Sequence, residues 1–556
     1  MKLLVSLSIS LLCTSLLFSQ FNHSKEVDSI FTEWDNSSSP GAALGIIQDG
    51  KLIYAKGYGM ANLEYDLPIT ANSVFRIAST SKQFTAACIV LLAEQGKLEL
   101  SDTLDKFFPD FPDYASTITV RHLLNHTSGI RDYLMVTYLK GLRNDDYYTD
   151  EQVMKWLIHQ EDLNFEPGTE HLYSNSGYWL LGQIVHEVSG KNMAEYAKEE
   201  IFTPLGMNST HFHNDHSQIV KNRASGYRPE GDGYKISMTT LDMIGDGGIF
   251  TTINDIKKWD DAFYERKVLS DAFWKEMLQR GVLNNGEKLD YASGLTLSKY
   301  KGIPTIQHGG AFVGFRAQFI RFPEQKLSIV VFANRGDANP TSKAHKVADI
   351  LLKDQFVNET EKQSVTNKDT PKFINLDKTA LESYEGHYWN EERLLSRKIY
   401  VKNDTLRYSR SETNESDLVP ISENEFRMIN VGIDVSVVFD QPEEGIYTMS
   451  FSAEGSEPIV SLPYQPVDYS IQQLQNFAGS YYSKELDVTY HLKPEEENLV
   501  LYIEKSKKTS LSPIKENTMD SSDYGILEFN NDDGGAIQGF KLAAGRVKNL
   551  SFKKID

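Results

Sequence analysis

Three short clusters hold the residue types of nucleophilic chemistry. Ser79 and Lys82 form an S-x-x-K element. Residues three apart share a helix face, so the amine can reach the hydroxyl. A lysine desolvated in a cleft and crowded by positive potential sheds its proton more readily, and a neutral amine can then take the proton of a hydroxyl. The spacing recurs at Ser298/Lys301, Ser512/Lys515 and Ser551/Lys554, but only Ser79 precedes a strong helical run, Lys82 to Gln95. The plain alternative is a capping serine beside a surface lysine. Tyr173-Ser174-Asn175 sets a phenol and an amide on a turn before a second helical run. Tyr-x-Asn recurs at Tyr388/Asn390, where a turn tyrosine is explanation enough. His308-Gly309-Gly310 follows the strand-like run Pro304 to Gln307. Its glycines would let a substrate backbone lie close to a strand, or would mark a bulge.

These clusters need a scaffold that brings them together. Helical runs close on glycine, Lys82 to Gln95 before Gly96 and Ser176 to Ser189 before Gly190, the left-handed cap position. Ala42 to Gln48 and Leu52 to Lys56 flank Asp49-Gly50, a hairpin signal. Phe315 to Phe322 and Leu327 to Asn334 form a second strand pair. Helices between N- and C-terminal strands predict one antiparallel sheet in an α+β arrangement.

Residues 358–372 are polar, without apolar periodicity, and read as a linker. Beyond them short strand-like runs take over and predict an all-β region. Leu381, Gly386, Tyr388, Leu406 and Pro420 each have an identical residue 93 positions later, at Leu474, Gly479, Tyr481, Leu499 and Pro513. The duplication fits two small barrels, or one larger barrel built from both halves.

With 556 residues, 40% hydrophobic and 24% charged, the chain has ordinary globular composition and room for several domains. Its net charge of −20 and the lack of a basic patch exclude nucleic acid as a partner. Leu3 to Phe18 is an apolar run after Lys2 and before Ser19-Gln20, a signal-peptide pattern. No other stretch reaches the roughly 20 apolar residues a bilayer needs, so no membrane span is expected after signal removal. Cys13 falls inside that run, where the residues around it do not suit lipidation, and Cys88 reads as a buried inert thiol. Two cysteines cannot make a disulfide framework or a cysteine zinc site. The predicted division is a signal peptide over 1–20, an α+β domain over 21–357, a linker over 358–372, and barrels over 373–465 and 466–556.

The order S-x-x-K, Y-x-N, H-x-G resembles the serine β-lactamase-like and penicillin-recognising hydrolase superfamily, in the branch holding class C β-lactamases, D-alanyl-D-alanine carboxypeptidases, D-aminopeptidases and related esterases. Leu123-Leu-Asn-His-Thr-Ser-Gly129, Pro167-Gly168, Pro204-Leu-Gly-Met207 and Gly247-Gly248 through Trp259 look like further landmarks of that family. The resemblance spans Pro40 to Asp349 and implies an α+β β-lactamase/transpeptidase-like domain, an antiparallel sheet with a helical subdomain. The tail resembles the lipocalin-like barrels appended to some D-aminopeptidases.

The resemblance implies two-step acyl transfer without a cofactor. Ser79 would attack a carbonyl, Lys82 and Tyr173 would relay protons, and Asn175 would orient Lys82 and hold the acyl side chain. Backbone N–H groups of Ser79 and of Ala311, next after His308-Gly309-Gly310, would form the oxyanion hole. Where many β-lactamases carry Lys-Thr-Gly, this chain carries a partly charged imidazole and no hydroxyl. That weakens recognition of a carboxylate and points away from an efficient β-lactamase. The expected substrate is a small amide, ester or short peptide, with D-amino-acid and peptidoglycan-derived peptides as candidates, handled in the periplasm or outside the cell. The alternatives are a weak β-lactamase, a non-catalytic binding or scaffolding protein of the envelope, and barrels that gate the cleft. The oligomeric state is not readable.

Other signals are weaker. His211, His213 and His216 have ligand-like spacing in a polar loop, but no metal site is expected there. His126 reads as structural rather than as a base. Asn530 to Gly535 reads as a hairpin turn, since a calcium loop would need alternating acids and a terminal Glu.

Overall fold

The structure is a computed structural model that describes residues 21–143, 146–356, 373–411, 414–429, 431, 435–443, 446–453, 458–503, 507–521 and 523–556. The predicted signal segment and linker lie outside the described residues.

Six strands form one antiparallel sheet in the order β3-β4-β5-β6-β1-β2. They are β1 (Ala42–Gln48), β2 (Lys51–Tyr58), β3 (Thr296–Tyr300), β4 (Ile303–Phe312), β5 (Phe315–Phe322) and β6 (Leu327–Ala333). The β1–β2 turn has φ 50° at Asp49 and 71° at Gly50, the twin left-handed residues of a tight hairpin. β1 pairs with β6 from Ala42↔Ala333 to Gln48↔Leu327, so the two ends of the domain meet in mid-sheet. Side chains alternate between faces. Ala42, Leu44 and Ile46 pack against helices α1 (Ser24–Phe31) and α5 (Pro340–Leu352), while Ala43 and Ile47 face the helical layer.

The centre of that layer is α2 (Lys82–Glu94), in which 11 residues, Lys82 to Leu92, are buried. The helix is enclosed on all sides, which its nearly continuous Phe84-to-Leu92 apolar run permits. Cys88 is buried within it, and burial pushes its thiol pKa far up, so it is inert. α3 (Tyr133–Leu139) starts at Asp132, whose carboxylate accepts from Leu134 N and Met135 N. α4 (Asn175–Ser189) starts at Ser174 and ends at Gly190, φ 70°.

The tail is two closed, eight-stranded antiparallel barrels, not one larger barrel. The first runs from strand Gly386–Asn390 to Ile459–Tyr464, the second from Gly479–Ser483 to Val547–Lys554. The repeated leucines and tyrosines are core positions. Leu406 and Leu499 are both fully buried. Tyr388 donates to the Tyr384 carbonyl at 3.0 Å, and Tyr481 donates to the Phe477 carbonyl at 2.8 Å.

The second barrel is docked on the α+β domain. Val136 and Leu139 of α3 join its hydrophobic core, and the Tyr490 hydroxyl donates to the Leu139 carbonyl at 2.6 Å. Arg131 and Glu485 form an ion pair with both side chains almost fully buried. Arg131 also donates to the carbonyls of Lys548 (3.0 Å) and Asn549 (3.2 Å). The first barrel rests on the second, with Trp389 against Ile514 and Ile526, and Lys515 paired with Glu391 at 2.8 Å.

Candidate active site

Ser79 lies in a single 3-10 turn, Ala78–Ser81, that runs straight into α2. Ala78 before it has φ 47°, a left-handed conformation that costs a non-glycine residue on the order of 1 kcal/mol. The kink is enforced by packing. Gly310 of β4 passes so close that a Cβ there would lie 2.2 Å from the Ile77 carbonyl oxygen. Thr80 Oγ1 donates to the His308 carbonyl at 3.3 Å. The glycine expected to admit a substrate backbone thus makes room for the serine's own turn.

Lys82 is fully buried, and its Nζ is held three ways. It donates to Asn175 Oδ1 at 2.9 Å and to the Asp246 carbonyl at 2.5 Å, and approaches Ser79 Oγ at 3.4 Å. The nitrogen lies 4.8 Å from the centre of the Tyr173 ring. Tyr173 Oη is buried without a hydrogen-bond partner among the described residues. The S-x-x-K and Y-x-N residues therefore meet at one nitrogen.

Asn175 is locked by Asp132, whose Oδ2 accepts from Asn175 N (2.8 Å) and Nδ2 (2.9 Å). This fixes the amide flip and turns Oδ1 toward Lys82. The backbone of the second motif is set by His126, φ 58° and fully buried. Its Nδ1 accepts from Ser174 N at 3.2 Å and its ring packs 4.2 Å from that of Tyr173. Burial first, then the positive charge of Lys82, holds its pKa well below the usual value. A neutral ring that accepts at Nδ1 and touches the tyrosine by its face is a positioning group.

His308 Nδ1 donates to the Gly309 carbonyl at 2.6 Å, which leaves Nε2 to accept from the Tyr291 hydroxyl at 3.0 Å. Burial is the largest cause that lowers its pKa, to about 4. The sequence reading expected a partly charged imidazole; enclosed by protein, the third motif is neutral at neutral pH. Ala311 follows it, exposed and paired in register with Arg316. Gly309 pairs with Gln318.

Sequence reasoning missed Asp132, Asp246, Tyr291 and Arg546. Asp246 is buried, its pKa raised by desolvation, with the Tyr133 hydroxyl at 3.1 Å. Arg546 comes from the second barrel. Its guanidinium lies 4.6 Å from the centre of the Tyr173 ring and its Nη1 is 3.3 Å from Asp132 Oδ2. Elsewhere, His211 Nε2 meets His213 Nδ1 at 3.2 Å, while His216 turns away to Asp242 at 2.9 Å. The three do not converge.

Over residues 27–352 the chain matches the Beta-lactamase family. It is similar to Penicillin-binding protein 4* of Bacillus subtilis (strain 168), 27% identical over 456 residues, 78% of this chain and 98% of that protein. It is also similar to the D-aminopeptidase of Gluconobacter oxydans (strain 621H), 27% identical over 313 residues, 56% of this chain but only 59% of that protein. Its fold is like that of the octameric penicillin-binding protein homologue from Pyrococcus abyssi, with TM-score 0.55, 24% identity, and 79% of this chain and 98% of that one covered. With its motif residues gathered around one buried lysine, the chain belongs to the Beta-lactamase family of serine hydrolases.

Proposed function

We propose that this protein is an exported serine hydrolase that cleaves small amides, short peptides or esters, D-amino-acid peptides among them, through an acyl-enzyme on Ser79. The observation that carries this reading is the environment of Lys82 Nζ. Two carbonyl oxygens, of Asn175 and Asp246, hold two of its N–H bonds. The third tetrahedral direction faces Ser79 Oγ, where a neutral amine offers its lone pair and an ammonium returns a proton.

In the first step Ser79 Oγ bonds to the substrate carbonyl carbon and its proton passes to Lys82. As the bond to the leaving amine or alcohol breaks, that group takes a proton through the Tyr173 hydroxyl. In the second step water loses its proton to the same pair, attacks the ester, and Ser79 recovers its hydrogen. The N–H groups of Ser79 and Ala311 are the proposed oxyanion donors. The relatives named for D-aminopeptidase and penicillin-binding activity support a peptide-like substrate. The neutral His308 argues against β-lactam hydrolysis of the Lys-Thr-Gly kind, because β4 offers no charge to the carboxylate of the drug.

The test is turnover of a panel of D- and L-amino-acid anilides, N-acetyl dipeptides, p-nitrophenyl esters and a chromogenic cephalosporin by the full chain and by Ser79→Ala. The expected result is hydrolysis of an amide, peptide or ester that falls by roughly three to six powers of ten in the variant. Undiminished turnover by folded Ser79→Ala would contradict the assignment. Cephalosporin hydrolysis near a kcat/KM of roughly 10⁷ M⁻¹s⁻¹ would make the enzyme a β-lactamase instead.

A further inference from the structure

The structure assigns to Arg546, carried into the active site by the second barrel, the recognition of a carboxylate on the substrate. This rests on the serine-hydrolase reading above and gives its substrate class: acyl compounds with a free carboxylate near the scissile bond, such as a peptide with an unblocked C-terminus.

The hairpin that bears Arg546 is a two-residue turn, Gly545-Arg546, between strands Ile537–Ala544 and Val547–Lys554. It is fastened to the hydrolase domain on both sides. Asn164 Nδ2 donates to the Arg546 carbonyl at 3.0 Å, and Asn164 Oδ1 accepts from Lys548 N at 2.6 Å. Lys548 Nζ pairs with Glu170 at 2.8 Å, just before the second motif. A Cβ on Gly545 would come within 3.0 Å of Met135 Cε. The arginine is therefore placed by a rigid element, not by a loose tail.

Its charge is open to a ligand. The side chain is 43% exposed, and among the described residues its one hydrogen bond is the 3.3 Å contact to Asp132. Asp132 already accepts from four N–H groups of its own domain at 2.8–3.3 Å, so it neutralises the guanidinium only in part. A guanidinium has five N–H donors in a fork that matches a carboxylate. The guanidinium lies over the ring of Tyr173, the residue of the proposed proton relay. The third motif, neutral at His308, cannot serve the same purpose. The anion-binding charge of this site is thus carried by a separate barrel rather than by β4.

The experiment measures how N-acetyl dipeptides, D and L, in acid and in C-terminal amide form, protect Ser79 from a fluorophosphonate probe. It uses the full-length protein and its Arg546→Ala, Arg546→Lys and Arg546→Glu variants. The quantity read is the acid-to-amide ratio within each variant, so loss of overall reactivity cancels. The expected ratio favours the acid by roughly ten- to a hundredfold in the parent. It should collapse toward one in Arg546→Ala, recover in part in Arg546→Lys, and invert in Arg546→Glu, which a mere loosening of the hairpin would not produce. A parent ratio near one, protection by no dipeptide, or a ratio unchanged in Arg546→Ala would overturn the assignment while leaving the nucleophile intact. Absence of probe labelling in the folded parent would overturn the hydrolase reading itself, and this assignment with it.

Discussion

The two barrels descend from one pattern and do different work. Their first five strands start at Gly386, Leu395, Thr405, Asn414 and Glu425 in one copy and at Gly479, Val488, Asn498, Lys507 and Thr518 in the other, always 93 residues apart. After that the offset shrinks, to 88 residues at the last strand, Ile459 against Val547. The divergence thus lies in the half that holds the docking hairpin. The interiors differ too. In the first barrel Arg397 donates to the buried Tyr408 hydroxyl and Arg410 stacks on its ring. The residues 93 positions on from the two arginines, Tyr490 and Ile503, are buried core of the second barrel. Duplication preserved the leucine, glycine and tyrosine positions that close a barrel and freed the rest. One copy became part of an active site; the other packs against it.

Each prediction probes that asymmetry. The largest effect is expected at Glu485→Ala, which strands Arg131 in the buried face of the docked barrel. It should cost about 3 kcal/mol, the lower end for a broken buried pair, because Arg131 keeps Gln160 and two carbonyls. Denaturant titration reads the loss, and kcat/KM should fall as the hairpin loosens. Stability that stays at the parent value would mean the barrel is not held there.

Next come two opposite pH responses. Asp520 lies near Arg397 of the first barrel, and burial raises its pKa to about 6. An acid with a raised folded pKa favours folding when protonated, so its contribution is complete below about pH 4 and is lost as the pH rises through about 6. Asp520→Asn should therefore stabilise the barrel pair at pH 7, on the order of 2 kcal/mol. His308 behaves the other way. Its folded pKa is depressed to about 4, so its contribution is present above about pH 6.5 and is lost as the pH falls toward 4. His308→Asn should make that acid limb shallower in melting curves, other buried histidines such as His126 and His213 supplying the rest, while Asp520→Asn leaves it in place. The same slope in all three proteins would contradict both assignments.

Smaller still is Tyr490→Phe, which removes the hydrogen bond to the Leu139 carbonyl and should cost about 1 kcal/mol. Smallest is Lys515→Ala at the exposed pair between the barrels. Both melting temperature and activity should match the parent within error, since solvent screens such a contact. A large effect there would show that the first barrel matters to the hydrolase domain.

The sequence made the local chemistry legible because it is written in contiguous spacing. Ser79 and Lys82 share a turn, Tyr173 to Asn175 open a helix, and the barrel repeat shows as identities at one offset. What it concealed depends on packing between distant segments. Nothing in the text near His308 shows that Tyr291 and the Gly309 carbonyl enclose it and keep it neutral. Gly545-Arg546 reads as an ordinary hairpin turn, and no periodicity says whose surface that turn meets. Asp132 precedes an apolar helix as a common cap, and its second task, orienting Asn175, appears only when α3 and α4 are brought side by side.

The central claim is that Lys82 and its carbonyl partners make Ser79 a nucleophile. The most direct measurement is intact-mass spectrometry of the parent, Ser79→Ala and Lys82→Ala after brief exposure to a fluorophosphonate. One adduct is expected on the parent, none on Ser79→Ala and a strongly slowed adduct on Lys82→Ala. A parent that stays unlabelled while folded, or a Ser79→Ala variant labelled as fast as the parent, would contradict it.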